Sequence, residues 1–321
     1  VPVRGLWSED EQSPFGGMGV ATYRLKITLP ADAEKLTLLA GSPHTAHRLF
    51  INGVERGKAG VVGVTPDTTE TEVKTRVYNI AAGVPELNIL VQVANFDFRS
   101  GGIKRLWFLG LPDSIQKGIA LAMVREGMLA SVGVLVGLAY LLMFVLDPSD
   151  RSRGYFGIAT LAIGLRVLPA SISSLGPVVL PDITFTSLVR IEYLGTAIAV
   201  FAGAGYAKTK VPGIVPLRLS QGIQLKALAL GLIVAAAPLS VAYATLPVQY
   251  VLPVLTVLLF ILFYTRAWIS GTTAARGSAI ASVLYAGAIL HDIVRTENAG
   301  LGAPIELYPY AMVLWILAEG S

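Results

Sequence analysis

Seven ionisable side chains stand where the sequence otherwise offers mostly apolar neighbours: Arg166, Arg190, Glu192, His291, Asp292, Arg295 and Glu306. A charge at the centre of a membrane helix costs about 2.5–3.5 kcal/mol on insertion scales, so each group asks for a partner or a function. Arg166 lies deep in one apolar run, three residues before Pro169, and Arg190 and Glu192 share the next. Helical spacing puts Arg295 on one face with His291 and Asp292, and Glu306 opens the last run. Both signs are present. The chemistry this suits is an interhelical polar network, which either holds helices together or repartners when a signal arrives. His291 adds a group whose reference pKa of about 6.5 would make such a network pH-sensitive. Lys226 sits near the end of its run, where its stem can carry the ammonium to the headgroups.

A second set lies in the first third of the chain. Asn95, Asp97 and Arg99 close an alternating segment and enter the loop before Gly101-Gly102, and such loop ends are where binding residues gather. Trp7 and Trp107 have rings that could stack on a sugar, although a tryptophan in a small β-domain is more often core. These five residues form the expected site for a small polar ligand, with carbohydrate among the candidates. His44 and His47 are three apart but have no third ligand, so a metal site is not expected there. The chain has no cysteine, which removes disulfides, thiolate metal sites and a thiol nucleophile together. It has no His-Glu-x-x-His, Gly-x-Ser-x-Gly or phosphate loop, so no enzyme activity and no cofactor are expected. A retinal-type pump needs a buried lysine late in the bundle, and the last two apolar runs have none.

The elements that must position these groups fall into two classes. The 321 residues are 54% hydrophobic and only 14% charged. Residues 1–125 hold 14 of the 25 Lys/Arg and 12 of the 21 Asp/Glu, so the charge is concentrated before the long apolar runs begin. The net charge of +4 does not point to nucleic acid, because no basic run or basic-aromatic patch accompanies it.

Residues 1–115 read as strands. Ala21–Leu29 alternates and stops at Pro30, with further strands expected at Lys35–Ala40, His47–Ile51, Thr71–Ile80, Glu86–Asn95 and Ile103–Leu109. Asn52-Gly53 supplies the two positive-φ residues of a tight hairpin, so Asn52 reads as a turn residue and not a ligand. The expectation is an antiparallel all-β sandwich.

Residues 118–321 read as an all-α bundle of seven transmembrane helices: Glu126–Leu146, Gly154–Leu175, Thr184–Tyr206, Gly222–Ala242, Val248–Trp268, Gly277–Val294 and Ile305–Glu319. Gly133-x-x-x-Gly137 and Gly195-x-x-x-Ala199-x-x-x-Gly203 are close-packing seams. Arg151 and Arg153, then Lys208, Lys210 and Arg218, then Arg266 and Arg276 mark the loops after the first, third and fifth helices. The positive-inside rule therefore puts the sandwich outside and the C-terminus in the cytoplasm. An outside domain ahead of the first helix requires a leader, and a chain beginning Val1-Pro2 implies one that was cleaved.

Tyr23-Arg24-Leu25, Leu49-Phe50-Ile51-Asn52-Gly53, Ile89 through Phe96, Gly101-Gly102-Ile103 and Leu109-Gly110 follow one another through the first domain. In that order, ahead of a polytopic region, they resemble the galactose-binding-like jelly roll of the seven-transmembrane receptors with diverse intracellular signalling modules. The turn Asp147-Pro148-Ser149-Asp150 and the terminal Glu319-Gly320 fit the helical part of that family more loosely. The resemblance implies a bacterial receptor of the cytoplasmic (inner) membrane, whose output module is a histidine kinase, a cyclase or a phosphatase. No such module is in this sequence; it would attach after the seventh helix, either as a further part of the same protein or supplied by another chain. The partners expected are membrane lipid, a small polar ligand, that cytoplasmic module and, as a candidate assembly, a homodimer. The rival is a transporter or polytopic membrane enzyme with a carbohydrate-binding accessory domain. Pro169, Pro238 and Pro253 interrupt helices as transporter prolines do, but no internal repeat is visible, and an odd helix count with one large outside domain favours the receptor.

Overall fold

A computed structural model describes residues 5–7, 17–30, 32–41, 43–72, 74–98, 101–103, 107–170, 175–272, 275–297 and 307–320. Its strands are β1 (Gly5–Leu6), β2 (Gly19–Thr28), β3 (Leu36–Ala40), β4 (Ala46–Ile51), β5 (Val54–Ala59), β6 (Arg76–Ile80), β7 (Glu86–Asn95), β8 (Gly102–Ile103) and β9 (Phe108–Gly110). Its helices are α1 (Pro112–Leu146), α2 (Arg151–Ala170), α3 (Leu175–Val179), α4 (Phe185–Lys210), α5 (Leu217–Ala236), α6 (Leu239–Ala244), α7 (Leu246–Ile269), α8 (Ala275–Glu297) and α9 (Tyr308–Gly320). β-sheets come first and helices follow. The chain forms two compact units, one of Val1–Arg125 with Ser171–Ser187, the other of Glu126–Ala170 with Leu188–Ser321.

In the first unit, a four-stranded sheet β2-β7-β4-β5 and a three-stranded sheet β6-β3-β9 are antiparallel throughout. They share one core that includes Leu49, Leu87, Val91 and Val93 from the larger sheet and Leu38, Tyr78 and Ile80 from the smaller. Each such apolar side chain, taken wholly out of water, stabilises the fold by about 1.5–3 kcal/mol. β2 alternates half-buried and exposed positions as a one-sided strand must, and it pairs with β7 from Gly19↔Asn95 to Thr28↔Glu86. The β4–β5 hairpin turns on Asn52 and Gly53 at φ +50° and +79°, the pair a type I′ turn requires. The Asn52 side chain also accepts from Asn88 N at 2.7 Å and donates to Glu86 O at 3.2 Å, fixing the turn to the start of β7.

Several boundaries differ from those expected. β6 starts at Arg76 and not Thr71, and the strand expected at Ile103–Leu109 is represented by β8 and β9, which lie in different sheets. β5 was not anticipated: Val54-Glu55-Arg56-Gly57-Lys58-Ala59 is charged and mostly exposed because it is the edge of its sheet.

In the second unit the helices are longer than the apolar runs, or broken where proline intervenes. α1 begins at Pro112, 14 residues before the expected Glu126, and its 35 residues span about 52 Å at 1.5 Å per residue. α2 is described from Arg151 to Ala170 and contains Pro169; residues 171–174 of the span expected to reach Leu175 lie outside the described residues. α5 stops at Ala236, and α6 is a separate short helix behind Pro238, where one span Gly222–Ala242 was expected. Among the described residues, four helices, α1, α4, α5 and α7, are long and apolar enough to cross a membrane. The Gly133/Gly137 seam packs closely on backbone, whereas Gly203 of the second expected seam faces the Phe260 ring. A Cβ on Gly133 would stand 2.6 Å from Gly164 Cα, and one on Gly137 would stand 2.7 Å from Leu161 N, so α1 and α2 touch along this line.

Candidate functional site

The loop end of the sandwich is held by internal hydrogen bonds. Asn95 is fully buried at the end of β7; its amide donates to Gly17 O at 2.6 Å and Phe98 O at 2.7 Å and accepts from Phe98 N at 3.0 Å. That set closes the turn 95–98 and leaves Asp97 exposed at its tip. Trp7 donates to the Tyr23 hydroxyl at 2.5 Å and packs on Gly101, where a Cβ would meet the ring at 2.5 Å. Burial raises the Tyr23 pKa against that hydrogen bond, so the phenol remains neutral. Trp107 donates to Gly41 O at 2.8 Å and packs against the core. Asn95, Trp7 and Trp107 thus shape this end from within, and Asp97 is the member of the expected set that faces solvent. Arg99 lies outside the described residues.

Next to this turn is an aromatic contact that the sequence did not signal. Phe98 lies 4.5 Å from the His44 ring and 5.8 Å from Phe185, and His44 and Phe185 are 6.3 Å apart. Phe185 belongs to the segment Ser171–Ser187 that forms part of the first unit. His47, by contrast, is enclosed in β4, so the two histidines do not converge on a common ion. Among the described residues no group of three metal-ligating side chains is found.

Several of the intramembrane charges have partners among the described residues. Arg166 on α2 and Glu192 on α4 pair at 3.6 Å. Arg190 donates to Ala235 O at 2.9 Å and Ala237 O at 3.1 Å, the carbonyls that α5 leaves open at its C-terminus. A cation there also offsets the negative end of the helix dipole. His291 Nδ1 lies 2.8 Å from Asp292, and the same carboxylate oxygen accepts Leu307 N at 3.0 Å, which ties α8 to the residue preceding α9. The Arg295 side chain and Glu306 lie outside the described residues. Glu126, buried on α1, is a further intramembrane carboxyl that charge counting placed at the start of a span and did not single out.

Trp315 on α9 is the centre of the helical core. Phe156 (α2), Tyr206 (α4), Phe260 (α7) and Tyr285 (α8) lie 5.5, 6.1, 6.5 and 6.0 Å from it. Contacts of this geometry add about 0.5–1.5 kcal/mol each beyond their area. At the ends of the same helices, Lys210 lies over Tyr206 at 5.9 Å and Arg276 over Trp268 at 5.5 Å. The turn before α2 is equally well held. Asp147 and Asp150 pair with Arg153 at 3.1 Å each, and hydrogen bonds, first from Ser149 and Ser152 respectively, keep both carboxyls below the usual range.

Residues 123–319 match the family described as 7TM diverse intracellular signalling, more than half of the chain. The chain belongs to that family. It is therefore a membrane-embedded, multi-pass protein with a sensory-receptor helical region. No curated protein matches it. Solved structures similar to it include the Ruminococcus gnavus β-glucuronidase, at 18% identity with a TM-score of 0.26 over 35% of this chain. The same enzyme with uronic isofagomine gives 18% and 0.27 over 35%, and with D-glucaro 1,5-lactone 18% and 0.24 over 32%. The matched stretch covers only 23%, 23% and 22% of those chains, and a likeness of that size carries neither fold nor ligand to this protein.

Proposed function

We propose that the chain is the sensor and transmembrane part of a bacterial signalling receptor of the cytoplasmic membrane. Its sandwich, read as a jelly roll, stands outside, and its C-terminus leads to a cytoplasmic kinase, cyclase or phosphatase module. The observation that carries this is the family match over 123–319 directly behind a water-facing β-unit. Helices α1, α2, α4, α5, α7 and α8, with the 13-residue α9 as the last, would supply the seven spans, and the chain itself performs no catalysis. The ligand is small and polar, with carbohydrate among the candidates, and Asp97 offers the exposed carboxylate to recognise it.

The segment Ser171–Ser187 suits such a receptor, because it is part of the β-bearing unit yet runs straight into α4. A ligand that alters the turn at Phe98 would act on Phe185, and Phe185 is the first residue of that helix. Orientation is tested by fusing a reporter after Ser321. A fluorescent protein that folds only in the cytoplasm should be bright there, while an alkaline phosphatase that works only outside should be inactive. The reverse pattern overturns the reading.

A further inference from the structure

The edges of the two sheets leave a cleft that neither the family nor the loop end accounts for. β5 is the outer strand of the larger sheet and β6 that of the smaller, and between them lies an open cavity of about 600 Å³. Arg56, Gly57 and Lys58 line one lip; Thr75, Arg76 and Tyr78 belong to the other. The cleft therefore has cations on both sides. Arg56 and Lys58 form no ion pair among the described residues, since the acid on their strand, Glu55, is taken by Arg48 at 2.5 Å. The acid nearest Arg76 is Glu72, 3.9 Å away. Its charge is already shared with Lys74 at 3.4 Å and with Gly60 N, which donates to it at 2.9 Å.

Two donors in the β6 lip are buried and lack hydrogen-bond partners: the Tyr78 hydroxyl and Arg76 Nε. Unsatisfied buried donors are rare and call for an explanation. Tyr78 is 8% exposed, and its hydroxyl lies against Gly57, where any Cβ would stand 2.6 Å from it. Gly57 thus leaves the phenol room that no other residue would. Burial raises the phenol's pKa, with Arg76 opposing, so it stays a donor at neutral pH.

We propose that the cleft between β5 and β6 binds a small organic anion carrying two or more carboxylate or phosphate groups. One anionic group is held by Arg56 and Lys58 and another by Arg76, with Tyr78 turning its hydroxyl to the ligand. Arginine suits this task because its fork matches planar carboxylate and phosphate oxygens. The competing account of Arg56 and Lys58 is that they guard an open sheet edge against pairing with another chain. It explains their exposure, but not the cation on the opposite lip or the orphaned phenol. The proposal goes beyond the receptor reading and does not depend on it, because binding is measured directly.

The full chain, purified in a neutral detergent at low ionic strength, is titrated calorimetrically with citrate, succinate and pyrophosphate, with glucose as the uncharged probe. Saturable binding of at least one anion, and none of glucose, is expected. Arg56→Ala with Lys58→Ala should weaken it about tenfold or more, as loss of charge-assisted hydrogen bonds does, and Tyr78→Phe should weaken it by a smaller factor. Adding vesicles of phosphatidylglycerol separates a soluble anion from a lipid headgroup: competition that abolishes citrate binding would assign the cleft to lipid and overturn the proposal. So would the absence of saturable binding by any of the three anions. Undiminished affinity in the double variant, with or without new self-association, would overturn it in favour of edge protection.

Discussion

His47 is wholly enclosed on the core-facing side of β4, in line with Leu49 and Ile51, and neither of its ring nitrogens has a hydrogen-bond partner. Burial, reinforced by the Arg76 charge and opposed by Glu72, lowers its pKa to about 4. The unfolded chain holds the same group near its reference value of about 6.5. At pH 7 the ring is largely neutral in both states, so its titration takes little from stability there. As pH falls below about 6.5 the unfolded state takes up a proton that the folded state refuses, so stability is lost until about pH 4, by about 3 kcal/mol in all. The chain has 3 histidines, so carbon-13 labelling of their rings gives three signals. The one that disappears in His47→Gln should keep its neutral shift down to about pH 5. A transition near pH 6.5 in that signal would mean that the ring is not enclosed. In the sequence His47 offered only a spacing of three from His44, which is a metal-ligand hint. What removes the hint is the strand's period of two, which turns His47 into the core while His44 meets Phe98.

At the level of elements, legibility followed how one-sided each segment is. β2 and β7 were readable within two residues because their alternation is imposed by one wet and one dry face. The Asn52-Gly53 hairpin was readable because two positive φ angles admit few residue types. β5 carried no such signal, since an edge strand with an exposed face can be charged throughout. Helix ends were misread where the chain stays helical beyond its apolar stretch, as α1 does from Pro112. Hydropathy reports only where lipid would begin. The Gly-x-x-x-Gly seam on α1 was legible, but not its partner, Gly164 on α2, which stands alone in sequence. Gly164→Ala should cost about 1–3 kcal/mol as an overpacked contact, because its Cβ would meet Val134 N at 2.8 Å and Gly133 C at 2.9 Å, which are backbone and cannot turn aside. Gly222→Ala, with nothing within 4 Å of the new methyl, serves as the control. In detergent, the midpoint of thermal aggregation should fall for the first and hold or rise for the second. Equal midpoints would remove the seam from the list of what holds α1 to α2.

On the scale of the whole molecule, the described members of the expected polar network tie helices to one another, and their positions show what each joins. Arg166–Glu192 links α2 to α4, Arg190 links α4 to the end of α5, and Asp292 links α8 to the approach of α9. Sequence spacing does not show these partners, because they are a carboxylate on another helix, two backbone carbonyls and a backbone amide. The Asp292 tie matters most for a receptor, since α9 carries Trp315, on which α2, α4, α7 and α8 converge, and α9 is the helix that leads toward the C-terminus. A ligand outside can move an equilibrium only through contacts that differ between two states. The bond from Leu307 N to Asp292 is well placed to be such a contact, because it fixes the N-terminal end of α9 without touching its aromatic hub. Asp292→Asn keeps the acceptor oxygen but removes the charge, and with it the pairing to His291 when that ring is protonated. In the protein joined to its output module, the substitution should shift basal or stimulated output by about threefold or more while membrane abundance holds, the change expected from about 0.7 kcal/mol of bias between two states. Normal signalling at normal abundance would show that the tie is not part of the switch. Loss of the protein from the membrane, with output per molecule unchanged, would show that Asp292 serves only to hold α8 and α9 together.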